Sequence, residues 1–532
     1  MGQSSSAEQV SPEQREAESV AASTGALPNL KKAFSVLSDP QTHSISIHSL
    51  QKCFGFSIDG STNEESVVPK EFPVLMSNLS SSIVDLFFLS EKGGISWVEF
   101  LKGHIKCSGR TVSSASLNSL LRLFGMVSVK AGLPEKLQIV SDEDDCKISG
   151  FLLPVDVQML LSMCWIMWWD SNKLKASSTL GDSGLPDVTH LVLSAINSCA
   201  EADKKMDLWD NSILDMDIQL PVAKIIMWAL KTVPSLSDCF GKFVHARLFY
   251  VAAHEEKLDQ ADLFSHDISA KERSVGHLLN SGRAWAISLT LRGNLSEEIS
   301  KVCFPSAAEE VDDYLLYRSS LHGKGLNRFW SNIEGYNAPL LILISAHEAN
   351  NDARRWTIGS LIHQGLENHD TFYGTSGSLY SISPVFHVFT PSGKEKNFVY
   401  SHLHGTVKYE AHPKPVGLAF GGSSGNERIF VDEDFAKVIV RHHACDKTYH
   451  HGPLYPDQGF LPVEALIMDV EVLGLGGKRA RDIQSSYKKR EELFTEQRRK
   501  VDLKTFGNWE DSPEKMMMDM VSDPNRVRRE DR

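Results

Sequence analysis

Two periodicities divide the chain. Between residues 155 and 290, apolar side chains recur at spacings of three and four: MLLSMCWIMWWD, LPVAKIIMWALKTV and LSDCFGKFVHARLFYVAA each set Leu, Met, Trp and Phe along one helical stripe. Buried helices are expected there, with SNKLKASSTLGDSGLPD as a punctuated loop between them. Near residue 290 the period becomes two. LYSISPVFHVFTPSGKEKNFVYSHL reads as two strands joined by a polar turn at Pro391, Ser392 and Gly393, and LAFGGSSGNERIFVDEDF as strand, glycine turn, strand. In EALIMDVEVLGL, Leu466, Met468, Val470 and Val472 alternate with Ile467, Asp469 and Glu471, which predicts a strand with one core face. PLLILISAH is short and apolar, as a central strand would be.

Residues 1–28 are Ser, Ala, Glu and Gln with almost no large apolar group, so burial cannot offset their ordering entropy and a disordered tether is expected. From Leu30 to Leu161, short helical segments alternate with loops. The run IVDLFFLSEKGGISWVEFLKGHI has the frame of an EF-hand, with Gly93, Ile95 and Glu99 at loop positions 6, 8 and 12. Positions 1, 3 and 5 should carry oxygen ligands but hold Phe88, Ser90 and Lys92. In LKKAFSVLSDPQTHSISIHSLQKCF, Ile45 takes position 8, Ser38, Pro40 and Thr42 take the ligand positions, and Ser49 replaces the glutamate. A third run, VSDEDDCKISGFLL, places Ile148 at position 8 and offers Ser141, Glu143 and Asp145, with Cys146 and Leu152 where Gly and Glu belong. A solvated acidic turn is the simpler reading of it. The expected organisation is a tether at 1–28, a metal-free EF-hand-like helical domain at 29–165, a helical domain at 166–291, a strand-rich domain at 292–476 and a basic helical tail at 477–532.

Length and charge narrow the classes. A chain of 532 residues has room for three or four domains, and 42% hydrophobic residues suffice for large cores. A formal charge of −13 gives the whole molecule no general attraction to nucleic acid. Eight cysteines, at 53, 107, 146, 164, 199, 239, 303 and 445, form no Cys-x-x-Cys pair and read as reduced thiols. The first thirty residues lack the apolar stretch of a secretory signal, and the apolar runs Val157–Trp169 and Pro339–Ile344 fall short of the roughly 20 residues a bilayer requires, so a cytoplasmic protein is expected. Met1-Gly2-Gln3-Ser4-Ser5-Ser6 matches the acceptor pattern for N-myristoylation at Gly2.

The carboxyl-terminal half resembles a TLDc domain over residues 292–476. The blocks that carry the resemblance are Leu315-Leu316-Tyr317-x-Ser319 with His322-Gly323, Phe372-Tyr373-Gly374-Thr375, Gly421-Gly422 with Asp432-Glu433-Asp434-Phe435, His443-Ala444-Cys445, and Asp469-Val470-Glu471-Val472-Leu473-Gly474. One departure is visible: the family continues His-Ala-Cys with Glu-Thr-Phe, whereas here Asp446, Lys447, Thr448 and Tyr449 follow. The resemblance implies an α+β chain, in which the helical amino-terminal region precedes a two-sheet β-sandwich with flanking helices and a carboxyl-terminal helix. It implies no established catalysis and no cofactor. Together with the Gly2 signal and the EF-hand-like region, it points to the branch of the family that includes an mTOR-associated member and a yeast relative. For that branch the resemblance implies binding to the vacuolar-type proton ATPase at vacuolar or lysosomal membranes, and a link to oxidative-stress protection.

The remaining chemistry is weaker. The stretch His442-His443-Ala444-Cys445-Asp446-Lys447-Thr448-Tyr449-His450-His451 contains metal-ligand types, but adjacent histidines on an extended chain point to opposite faces, so a structural role is preferred and no metal is expected. Gly421-Gly422-Ser423-Ser424-Gly425 lacks the Lys-Ser/Thr of a P-loop and is a hairpin turn. The segment KRARDIQSSYKKREELFTEQRRK carries nine basic and four acidic residues, with Ile483, Tyr487, Phe494 and Val501 as a thin apolar seam. Its Lys478, Arg479, Arg481, Lys488, Lys489 and Arg490 are the candidate partner contacts. The functional expectation is a non-enzymatic adaptor of the proton pump; the rivals are a hydrolase or peroxide-handling enzyme, a calcium sensor, and a nuclear protein with Lys478-Arg479 and Lys488-Lys489-Arg490 as a localisation signal.

Overall fold

The computed structural model describes residues 11–59, 69–88, 93–108, 112–139, 148–176, 185–199, 206–210, 216–254, 265–267, 278–303, 314–348, 351–403, 414–443 and 446–507, together with 515, 517, 518 and 521. Gly2, Cys445 and the acidic positions Ser141, Glu143 and Asp145 lie outside the described residues.

The helical region opens with α1 (Pro12–Ser23), α2 (Leu27–Leu37) and α3 (Ile47–Cys53), followed by β1 (Ser57–Asp59). The expectation of a disordered tether fails for α1. Ser11 caps it, its Oγ accepting from Gln14 N at 3.1 Å, and Ala17 and Ala21 are buried. Small side chains suffice because the contact is close: the Trp97 indole donates to Glu18 Oε1 at 2.9 Å. Next come α4 (Phe72–Ser77), α5 (Leu79–Phe87), α6 (Trp97–Ser108) and α7 (Ser113–Lys130). The two EF-hand-like loops meet as the frame demands, with Ile45 and Ile95, both at position 8, exchanging two backbone hydrogen bonds of 2.9 and 2.8 Å. Ser90 and Lys92 lie outside the described residues, and the described positions Phe88 and Glu99 serve packing and capping instead. Phe88 is buried against Phe54 and Phe100, and Glu99 turns back so that its Oε2 accepts from Ser96 N at 2.7 Å, capping α6.

A small antiparallel sheet joins β2 (Leu137–Ile139), β3 (Ile148–Leu152) and, later, β4 (Leu220–Pro221). Around it run α8 (Pro154–Ala176), α9 (Thr189–Cys199), α10 (Val222–Thr232) and α11 (Cys239–Ala253). The domain boundary expected at 165 falls in the middle of α8, and one continuous core runs from Ala17 through Trp165 to Val302. At its centre α8 and α11 are tied by a fully buried ion pair: Arg247 Nε and Nη2 donate to the two oxygens of Asp170 at 2.7 and 2.9 Å, and its Nη1 donates to Gly55 O at 3.2 Å. The guanidinium also lies 4.7 Å from the Phe56 ring. Burial pushes the Asp170 carboxyl up even though Arg247 pulls it down.

The last helices before the sheet follow the short β5 (Ser265–Asp267), which pairs with β1; they are α12 (Ser281–Thr290) and α13 (Asn294–Cys303). The carboxyl-terminal half is built from β6 (Leu315–Arg318), α14 (Ser319–His322), α15 (Leu326–Ile333), β7 (Leu340–Glu348), β8 (Asn351–Ile362), β9 (His369–Tyr373), β10 (Gly377–Ser383), β11 (His387–Phe389), β12 (Val399–His402), β13 (Gly417–Ser423), β14 (Asn426–Val431), β15 (Lys437–Val440), β16 (Val463–Gly474) and α16 (Gly477–Gly507). The fold is α+β as expected. Its strands form one curled antiparallel sheet of 11 strands, in the order β11-β10-β8-β7-β16-β15-β14-β13-β12-β9 with β6 beside β16. The curl brings the two ends of the strand order over one core, so that Gly377 on β10 abuts Phe398 and Tyr449.

Burial on both faces accounts for the apolar run in β7: Leu341 and Leu343 join the helical core, while Leu340, Ile342 and Ile344 face the interior of the curl. β16 departs from simple alternation. A bulge between Ile467 and Asp469 shifts its register, so Ala465 and Ile467 share the core with Val470 and Val472, and Leu466 and Met468 are each 38% exposed. The segment 391–393 is not the tip of a hairpin either, because β11 pairs with β10 and β12 pairs with β9 and β13. Among the described residues no single helix is long and apolar enough to cross a membrane.

Replacing Arg247 with Met should destabilise the chain by about 3–5 kcal/mol, since it strands a buried carboxylate, while the double change Asp170→Leu/Arg247→Met should lose much less. Urea denaturation of both variants measures the difference, and equal losses would refute the account. A second expectation concerns acid. Burial lowers His104 and His190 to about 4. The unfolded chain, titrating near 6.5, binds these protons first, so their stability is present above that value and is lost as pH falls toward 4, by about 3 kcal/mol for each at pH 4. Denaturation midpoints across this range should fall in the wild type, and the slope should flatten in His104→Gln.

Candidate functional site

The motif residues gather at two corners of the sheet. At the first, β6, α14 and β16 meet. Glu471 is fully buried and accepts from Arg318 Nε at 2.7 Å and from the backbone N–H of Leu278 and Leu279 at 2.9 and 3.4 Å. Burial pushes its carboxyl above the usual range, against the pull of Arg318. One β16 residue thereby holds the edge of its own sheet and the chain entering α12. Asp469 lies two residues earlier and grips the start of α14, its oxygens accepting from Ser319 Oγ at 2.5 Å, Ser320 N at 3.1 Å and Ser320 Oγ at 2.7 Å. His322 closes the turn: its Nδ1 accepts from Arg318 N at 3.0 Å, and the Tyr317 hydroxyl donates to Gly323 O at 2.8 Å. Gly323 has φ +88°, a conformation that only glycine adopts without strain.

Serine, histidine and aspartate are thus together, yet not wired for nucleophilic attack. Ser319 Oγ donates straight to Asp469 and accepts from Val470 N at 3.0 Å, while His322 faces backbone. A base that does not reach the hydroxyl cannot activate it.

The second corner centres on Arg428, which is fully buried on β14. Its Nη1 donates to Asp446 Oδ2 at 3.2 Å and His450 O at 2.7 Å, its Nη2 donates to Gly452 O at 2.8 Å, and the guanidinium lies 4.4 Å from the Phe389 ring. Asp446 Oδ1 in turn accepts from Thr448 N and Tyr449 N at 2.8 and 3.2 Å. Here the departure from the family pattern has a structural meaning: Asp446 supplies the charge partner for Arg428. Gly421 leaves room for the Tyr449 ring and the Asp446 carboxylate, since a Cβ there would lie 2.9 and 3.1 Å from them. Gly422, at φ +80°, would drive a Cβ to 2.4 Å from Asn426 O.

His443 is half-buried, and its carbonyl accepts from Asp446 N at 3.3 Å. His442 stacks on Phe460 at 4.7 Å, and His450 and His451 are exposed. Among the described residues no three His, Cys, Asp or Glu side chains converge to hold a metal. Phe372 packs on Tyr400 at 5.6 Å, Gly374 admits Phe398, and Asp432 Oδ1 accepts from Ala436 N and Lys437 N at 2.8 and 3.1 Å, closing the turn before β15. Phe372, Gly374 and Asp432 therefore belong to separate local structures rather than to one site.

These corners lie in a stretch that matches a family model. Residues 290–476 match that of the TLDc domain. The chain carries a TLDc domain. Its sequence is also similar to oxidation resistance protein 1 of Xenopus tropicalis, at 26% identity over 159 residues. That match covers 30% of this chain and 15% of the relative, so the chain spans a small part of that protein's length.

The six basic candidates of α16 separate on the TLDc surface. Arg481 donates to Leu315 O, and Lys488 donates to Asn332 O at 3.0 Å, its pKa lowered by burial. Lys478, Arg479, Lys489 and Arg490 face solvent. The docking face is formed by Ala480, Gln484, Tyr487 and Lys488; Gln484 Nε2 donates to Asn332 O and Glu334 O at 2.8 and 3.2 Å, and the Tyr487 ring lies against Gly335. Of the expected apolar seam only Tyr487 docks. Ile483 and Phe494 are exposed at 51% and 59%, and the Val501 side chain lies outside the described residues. Polar i, i+4 pairs to backbone carbonyls made this face, which an apolar pattern does not register.

Arg428 and Arg318 were not anticipated. Each shows in the sequence as a charged residue within a segment that folds as a strand. Asp446→Ala should cost about 3–5 kcal/mol by stranding Arg428, whereas Lys447→Ala next to it should change stability by less than about 0.5 kcal/mol, because the Lys447 side chain makes a surface pair with Glu395 and its backbone contacts survive the change. Thermal and chemical denaturation of the two variants decides it; similar melting would remove Arg428 from the centre of this corner.

Proposed function

We propose that the chain is a non-enzymatic adaptor whose TLDc domain and α16 bind the peripheral part of the vacuolar-type proton ATPase, with a myristoyl group at Gly2 adding membrane affinity. The observation that carries the reading is the course of α16. Its first three turns are fixed to the TLDc domain, and from Lys489 to Lys500 every side chain is exposed, bearing Lys489, Arg490, Arg498, Arg499 and Lys500 with Leu493 and Phe494 on the same stretch. A helix that leaves its domain with no tertiary cover among the described residues is marginal in water and gains most from a partner. Wiring of the motif residues into the scaffold supports a surface role over catalysis. The name of the Xenopus relative supports a link to oxidation resistance.

One acyl chain gives only marginal membrane binding, so a second contact is required, and the exposed half of α16 is the concentrated basic segment able to supply it. Affinity purification from vacuolar or lysosomal membranes, followed by mass spectrometry, should recover pump subunits with the full chain and lose them when residues 489–532 are deleted. Recovery without pump subunits, or recovery indifferent to the deletion, overturns the adaptor role of α16. Membrane fractionation of Gly2→Ala reads the lipid separately: retention equal to wild type removes it.

A further inference from the structure

The helical region contains a cavity that the adaptor reading does not use. It has a volume of about 380 Å³ and lies between α7, β2, β3 and the start of α8. Leu121, Phe124, Leu133, Leu137, Ile148 and Leu152 supply its walls. Charged residues Arg122, Lys130, Glu135, Lys136 and Asp156 border it as well, and two buried polar atoms, Arg122 Nε and Ser128 Oγ, have no hydrogen-bond partner among the described residues. The Ser128 residue is only 9% exposed. Leaving a buried donor unmet is unfavourable by about 1–3 kcal/mol, and mostly apolar pockets of about 300–1,000 Å³ with a few polar groups are where small ligands bind. The other cations at the rim are already matched, Lys130 with Asp85 at 2.6 Å and Lys136 with Asp156 at 2.7 Å, so among the described residues Arg122 is the lining cation without an ion pair.

We propose that this cavity binds one linear acyl chain, with the carbonyl or carboxylate oxygen of its head group accepting from Arg122. Apolar walls suit methylene groups, and the polar atoms are too few for a peptide or a nucleotide. Two sources share this chemistry. One is a free fatty acid. The other is an acyl group on Gly2, which precedes the start of α1 at Pro12 by ten residues, a reach of roughly 33–36 Å when extended.

The test uses the full chain carrying Gly2→Ala, titrated with cis-parinaric acid and competed with myristate. Saturable binding, weakened by about tenfold or more in Val129→Trp and Ile139→Trp, supports the proposal; a tenfold change corresponds to about 1.4 kcal/mol. Both positions line the cavity and are 48% and 46% exposed, so bulk is added at its rim without replacing a buried wall residue, and unchanged melting confirms the fold. Arg122→Gln should weaken myristate but not myristyl alcohol. Chain co-expressed with a myristoyltransferase identifies the source: exclusion of the probe assigns the lipid on Gly2, and unaltered binding assigns the free acid. No saturable binding, or binding untouched by either tryptophan, overturns the cavity site and leaves the pump reading standing, because the pull-down on α16 is independent of it.

Discussion

A buried carboxylate, Glu471, holds the two halves of this chain in register. It sits on β16, the strand that pairs with β6, β7 and β15, and it takes donors from β6 and from the peptide groups entering α12. An ionised carboxylate without such donors would be unfavourable by several kcal/mol, so the charge is tolerated only when the helical region and the TLDc sheet are both in place. The sheet then completes the helical core: Leu341, Leu343, Leu361 and Tyr380 are buried in one cluster with the helices. The Tyr380 hydroxyl lies 3.1 Å from Thr290 Oγ1, and Phe386 N donates to His190 O at 3.0 Å. The TLDc sheet and the helices thus share buried surface, and the motif blocks at the first corner are the joint between them.

Much of this was legible in the sequence where one physical signal dominated. Helix against strand followed from period, the central place of β7 from its unbroken apolar run, and the loop positions of Ile45 and Ile95 from the EF-hand frame. The signal failed where a single residue changes the frame. The bulge at Ile467 to Asp469 reverses which faces are buried, and no alternation rule announces it. Residues 1–28 looked too polar to order, yet α1 packs with two alanines because its partner surface supplies the bulk. The curl of the sheet depends on partners far apart in sequence, such as β9 with β12, and period carries no information about pairing.

The candidate site was legible as chemistry types but not as roles. His322, Gly323, Glu471, Gly421, Gly422 and His443 do assemble at two corners, and in each the polar groups are spent on backbone donors, on each other or on a buried arginine. Asp446 shows why composition misleads. It was visible as a departure from a family pattern, and only its position beside Arg428 reveals that the carboxylate is still needed there. Phe372, Gly374 and Asp432 share blocks with those residues and sit elsewhere.

The helical continuity of α16 sets more than distance. From Lys489 to Gly507 the backbone is one helix, about 28 Å long at 1.5 Å per residue, joined without a break to the docked turns. Whatever face it presents at its tip therefore has a defined rotational phase relative to the TLDc domain, advancing about 100° per residue. Inserting two residues after Lys488 would swing that face to nearly the opposite side, while inserting four would return it to within about 40° and move it outward by about 6 Å. The helix is a lever arm with an angular code, in which residue count between the docked and the free halves determines which way the tip looks.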